Sequence, residues 1–174
     1  MAGYKGHLTG AVVFFAIYIV GLFFLTSTKY LSLELPLLQS FGMLAAMFAL
    51  CVMFGLWPDV DTNSKGQDIF YTLFFLVDVI FIATERYKEA AYLGLFSILP
   101  ILGKHRGWTH TYWAMVLIPS PLFILPYVYM PDQPYTGLPF YGAAVTGYLS
   151  HLFMDGLVGG DRAKSRKRAR RYAR

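Results

Sequence analysis

Residues 8–26 read LTGAVVFFAIYIVGLFFLT, nineteen positions without one charged side chain. A helix needs about 20 predominantly apolar residues to cross the hydrocarbon core of a bilayer, so this stretch decides the class of fold. It begins within ten residues of Met1, but it lacks a small-residue cleavage site and carries aromatics along its length. It therefore reads as a retained span rather than a removed signal peptide. Working outward, five more apolar runs follow, at about 36–57, 69–83, 87–103, 112–130 and 140–158. The third and fourth are short, with Glu85, Arg86, Lys88 and Glu89 in the turn between them. Pro100 in the fourth, and Pro119, Pro121 and Pro126 in the fifth, predict kinks or breaks.

Composition agrees with that reading. A chain of 174 residues that is 56% hydrophobic and only 14% charged is not an ordinary soluble domain. The expected fold is all-α: a polytopic membrane bundle of about six transmembrane helices, with one domain over 1–160 and a basic tail over 161–174. Cys51 is the lone cysteine, which excludes both a disulfide framework and a thiolate metal cluster.

Lysines and arginines set the orientation, because cytoplasmic loops collect them. Six spans put the N-terminus, the 58–68 and 104–111 loops and the tail on one side. Twelve basic residues fall there, eight of them in the tail, against three (Lys29, Arg86 and Lys88) on the other. Both termini are thus expected in the cytoplasm. Trp57, Trp108 and Trp113 would sit at the cytoplasmic interface, and Tyr127, Tyr129, Tyr135 and Tyr141 would form the outer belt.

On this topology all four histidines gather at the cytoplasmic edge. In GYLSHLFMDGLV, His151 and Asp155 are four apart and share one helix face. Ionisable groups inside a membrane helix mark functional sites by default; a pair tying two helices together is the plainer alternative. In WPDVD, Pro58 biases Trp57 away from helix and ends the second span, leaving Asp59 and Asp61 in a loop where both can turn toward one ion. A solvated acidic loop is the alternative there. In KHRGWTHTYW, Gly107 between His105 and His110 suits a turn. Thr109 is the expected N-cap of the fifth span, and Arg106 offers a bidentate grip on anionic oxygens. His7, in HLTG, gains meaning only from this company. Asp78, midway along the third span, reads as a structural interior carboxylate, and Asp161 lies outside every motif.

The candidate metal ligands are therefore His7, Asp59, Asp61, His105, His110, His151 and Asp155. Seven imidazoles and carboxylates exceed what one tetrahedral ion uses and fit two or more divalent ions. Nitrogen and oxygen donors without sulfur suit zinc, manganese or iron(II), with zinc favoured.

HLTG, PDVD, HRGWTH and GYLSHLFMD, in this order over nearly the whole chain, resemble the YdjM-like family of LexA-regulated, inner-membrane metal-dependent hydrolases. The order is also similar to that of zinc-dependent phospholipase C. The resemblance implies a hydrolase, an inner-membrane location and the same seven ligands. Two positions depart from the family pattern: Thr111 stands where a serine is common, and Val158 where a threonine is.

The function expected is a membrane-bound, metal-dependent hydrolase of a phosphoester, its substrate a lipid or lipid-linked. A metal-activated water would attack, with Asp59 or Asp61 as base and Arg106 steadying the developing charge. A metal transporter or a non-catalytic metal-binding membrane protein is the alternative; transport ordinarily places ligands near the midplane. The basic tail reads as a topology signal rather than a nucleic-acid-binding element.

Overall fold

Burial along the first helix runs opposite to that of a soluble protein. In the computed structural model, which describes residues 3–28, 41–60, 65–99 and 108–156, α1 (Tyr4–Ser27) exposes Val12, Val13, Ile17, Val20, Phe23 and Phe24 and buries His7, Gly10 and Ala11. Lipid is as apolar as valine, so hiding large apolar side chains gains little there. Close approach through small residues holds such helices together instead.

The remaining helices are α2 (Phe41–Leu56), α3 (Lys65–Ala83), α4 (Tyr87–Ile98), α5 (Tyr112–Leu117), α6 (Pro121–Tyr129) and α7 (Leu138–Met154). No strand occurs among the described residues. Four stretches are long and apolar enough to cross a membrane: Tyr4–Ser27, Phe41–Asp59, Lys65–Ala83 and Tyr112–Tyr129. The last of these is broken where its prolines predict. α5 stops at Leu117, and α6 restarts with Pro121 in its first turn, where a missing N–H is harmless.

α7 is the central helix, packed by α1, α2, α5 and α6. It approaches α2 through small residues, with Gly147 on α7 against Cys51 and Gly55 on α2. A Cβ at Gly147 would overlap the backbone of Cys51, so nothing larger than glycine fits at this crossing. At the far end the Tyr18 hydroxyl donates to the Pro139 carbonyl at 2.8 Å, tying α1 antiparallel to α7.

Three expectations need correction. Trp57 is fully buried rather than interfacial, whereas Trp113 is widely exposed. The Trp57 indole packs on Phe96 of α4, on Trp108 and on Tyr148 of α7, at ring separations of 5.6, 5.7 and 5.8 Å. Burying so large an aromatic surface from four segments outweighs an interfacial position. α7 ends at Met154 rather than near 158, because Gly156 takes a left-handed φ of 74° and stops it. The N-cap of α5 is Thr111, not Thr109: Thr111 Oγ1 accepts from the Ala114 N–H at 3.2 Å. α4 has 12 residues, about 18 Å of helix, where a span over 87–103 was expected; the described part of it ends at Leu99.

Candidate metal centre

Four chain segments deliver side chains to one end of the bundle. His7 lies on the second turn of α1, and Asp59 on the 3₁₀ turn (Trp57–Asp59) that follows α2. His110 closes the 3₁₀ turn (Trp108–His110) before α5, and His151 and Asp155 occupy the last turn and C-cap of α7. Pro58 ends α2 at Leu56 and turns Asp59 inward. The Trp57 cluster fixes that turn against the one bearing His110.

The geometry is compact. His7 Nε2 lies 3.6 Å from Asp59 Oδ2 and 3.5 Å from Asp155 Oδ1. His110 Nε2 is 3.2 Å from Asp59 Oδ1, 3.7 Å from Asp155 Oδ2 and 3.4 Å from His151 Nε2. His151 Nε2 is 3.7 Å from Asp59 Oδ1 and 3.8 Å from Asp155 Oδ2. The His7 and His151 rings stack at 4.0 Å. One donor atom each from His7, Asp59, His151 and Asp155 lie within 4.8 Å of one another, so this group could hold a metal ion.

Three observations test the fit to a cation. Two donor atoms on a tetrahedral ion bonded at ~2.0–2.2 Å stand roughly 3.3–3.6 Å apart, close to the spacings above. Both His7 nitrogens and Asp155 Oδ1 are buried without a hydrogen-bond partner, an arrangement that costs about 1–3 kcal/mol per neutral group and more for a charge. The two carboxylates share one nearly closed site, and one divalent cation balances both charges. The residues fit a divalent ion.

Neighbouring groups orient the donors. His151 Nδ1 is 2.9 Å from the Gly55 carbonyl; a carbonyl can only accept, so Nδ1 carries the proton and Nε2 presents its lone pair to the cluster. His110 Nδ1 is 3.1 Å from Thr109 Oγ1, which is 3.5 Å from the Pro58 carbonyl. A hydroxyl both donates and accepts. It can accept from Nδ1–H while giving its own proton to Pro58, leaving His110 Nε2 bare. Tyr148 holds this turn from α7, its hydroxyl donating to the Thr109 carbonyl.

Of the seven predicted ligands the structure brings together His7, Asp59, His110, His151 and Asp155. Asp61 and His105 lie outside the described residues, as do Arg106, Val158 and the tail. Asp78 lies on α3, apart from the cluster. Sequence reasoning missed the orienting groups Gly55, Thr109 and Tyr148. The signal available for Gly55 was its four-residue spacing from Cys51, matched by Ala143 and Gly147.

Residues 1–160 match the YdjM inner membrane protein family. The chain belongs to that family. Membership and four stretches long and apolar enough to cross a membrane together make it a membrane protein. No curated protein and no solved structure compared with the chain matches it. None of these comparisons shows the likeness to zinc-dependent phospholipase C.

Proposed function

We propose that this member of the YdjM family is a metal-dependent hydrolase of phosphoesters whose substrate is a lipid or a lipid-linked molecule. The observation that carries the reading is the convergence of five histidine and aspartate side chains, three of whose atoms are buried without partners. A protein that needed this corner only for packing gains nothing from orphaned polar atoms, whereas one cation would satisfy His7 Nε2 and Asp155 Oδ1 together.

His7, His110, His151 and Asp155 would hold the ion, with Asp59 as a ligand or base at the edge. A divalent ion supplies Lewis acidity and a water acidic enough to react near neutral pH. The chain's own part is to orient and to exclude water. His151 is fixed by Gly55 and His110 by Thr109, and the Asp59 side chain, 25% exposed against 6% or less for the other four, leaves the open edge. Asp61, His105 and Arg106, close in sequence to Asp59 and His110, would complete a second ion site and an anion grip.

The proposed topology has six spans, both termini in the cytoplasm and the site at the cytoplasmic headgroup level, with residues 1–160 as the domain and 161–174 as a tail. The basic-residue bias supports this orientation. The test is purification in nanodiscs, metal analysis, and an assay against phosphatidate and soluble phosphomonoesters. Hydrolysis lost in both Asp59→Asn and His110→Ala supports the proposal. Hydrolysis unchanged in both, or metal movement across proteoliposomes without hydrolysis, contradicts it, the latter in favour of transport.

A further inference from the structure

Asp59 is the most exposed of the five clustered side chains, and a cation stands at the helix start that follows its turn. Lys65 begins α3 and is exposed. Its ammonium lies 6.0 Å from the ring centroid of Tyr4, at the outer reach of a cation–π contact. Tyr4 precedes His7 by three residues on α1, which places it on the same helix face, about one turn farther out. On α3, the Gln67 amide donates to the Val60 carbonyl at 2.9 Å, so the helix start is tied to the residue that follows Asp59. These two contacts tie the start of α3 to the helix end that bears His7 and to the turn that bears Asp59. No carboxylate of the described residues pairs with its ammonium at salt-bridge distance. Two carboxylates inside and an unpaired ammonium outside suit a ligand whose anionic oxygens face the rim.

We infer that Lys65, seated on Tyr4, is the specificity-determining residue that binds a phosphate group entering past Asp59. This rests on the reading of the site as a phosphoester-binding metal centre. Phosphate offers three acceptor oxygens to a point charge of this kind. The phosphate could arrive free or on a lipid headgroup.

The test uses the full chain in phosphatidylcholine nanodiscs, loaded with zinc, its metal content measured first. Binding of inorganic phosphate is followed by calorimetry, and binding of phosphatidate by retention of labelled lipid. Lys65→Met keeps most of the side chain's length and removes the charge; it is expected to bind phosphate about tenfold or more weakly with unchanged metal content. Lys65→Arg is expected to stay within a few-fold of the parent. Lys5→Met, which removes another exposed lysine near the same membrane edge, controls for general electrostatic attraction and is expected to bind as the parent does. Loss in both the phosphate and phosphatidate arms supports recognition of the phosphate itself, and loss in the phosphatidate arm alone supports a lipid headgroup. Parent-like binding by Lys65→Met in both arms, or an equal loss in Lys5→Met, overturns the inference and leaves the metal centre standing. Failure of the parent to take up zinc overturns the site reading and this inference with it.

Discussion

His151 donates its Nδ1 proton to the Gly55 carbonyl across 2.9 Å, and that single bond decides which nitrogen faces the cluster. The bond exists because α7 and α2 touch through glycine. Gly147 admits the Cys51 backbone one helical turn before His151, and a Cβ at Gly55 would stand 3.1 Å from Ala11 and 3.4 Å from the Gly147 carbonyl. Packing and chemistry are thus one feature, with the close crossing setting the tautomer of a metal-ligand candidate.

Gly147→Ala should therefore damage the site from a distance. The substitution gains about 1 kcal/mol of helix propensity, but the overlap with Cys51 forces α7 off α2. We expect a net loss on the order of 2–3 kcal/mol together with reduced metal content. Thermal unfolding in detergent and metal analysis check both; a variant as stable and as metal-loaded as the parent contradicts the crossing geometry.

His7 separates a metal centre from a packing motif. Its two buried nitrogens have no hydrogen-bond partner, so replacing it with leucine removes unsatisfied groups. After chelation, His7→Leu should unfold at the same or a higher temperature than the parent, while with metal present the parent should be the more stable. A chelated His7→Leu protein that unfolds well below the chelated parent would assign this histidine a structural role.

Tyr148→Phe removes the hydroxyl that holds the Thr109 carbonyl and keeps the ring in the Trp57 cluster. Loss of an outer-shell partner typically weakens metal binding 10–100-fold. A metal-competition titration should show a loss in that range, and unchanged affinity would remove Tyr148 from the centre's support.

Thr111→Ser should be silent and Thr111→Ala should not. Thr111 Oγ1 caps α5 by accepting from the Ala114 N–H, a role serine fills equally well. The alanine variant is expected to lose about 1 kcal/mol, read from the denaturation midpoint. Equal midpoints for both variants would show that the cap contributes nothing.

The sequence carried the class of fold and the ligand segments because both depend on local signals. Uncharged runs announce spans, and Pro58, Gly107 and the four-residue step from His151 to Asp155 announce where ligands leave or share a helix. What escaped depends on contacts between distant segments. Trp57 looks like an interface tryptophan until Phe96, Trp108 and Tyr148 enclose it. Thr109 looks like a cap until the backbone turns once more and gives that task to Thr111, freeing Thr109 for His110.

The central claim is that this corner binds a metal ion, and the metal content of the purified, dialysed protein tests it most directly. Elemental analysis by mass spectrometry should find at least one divalent ion per chain in the parent, and strongly reduced content in His110→Ala and Asp155→Ala variants that remain folded. A folded parent without stoichiometric metal, or variants that retain the parent's metal content, would contradict the account.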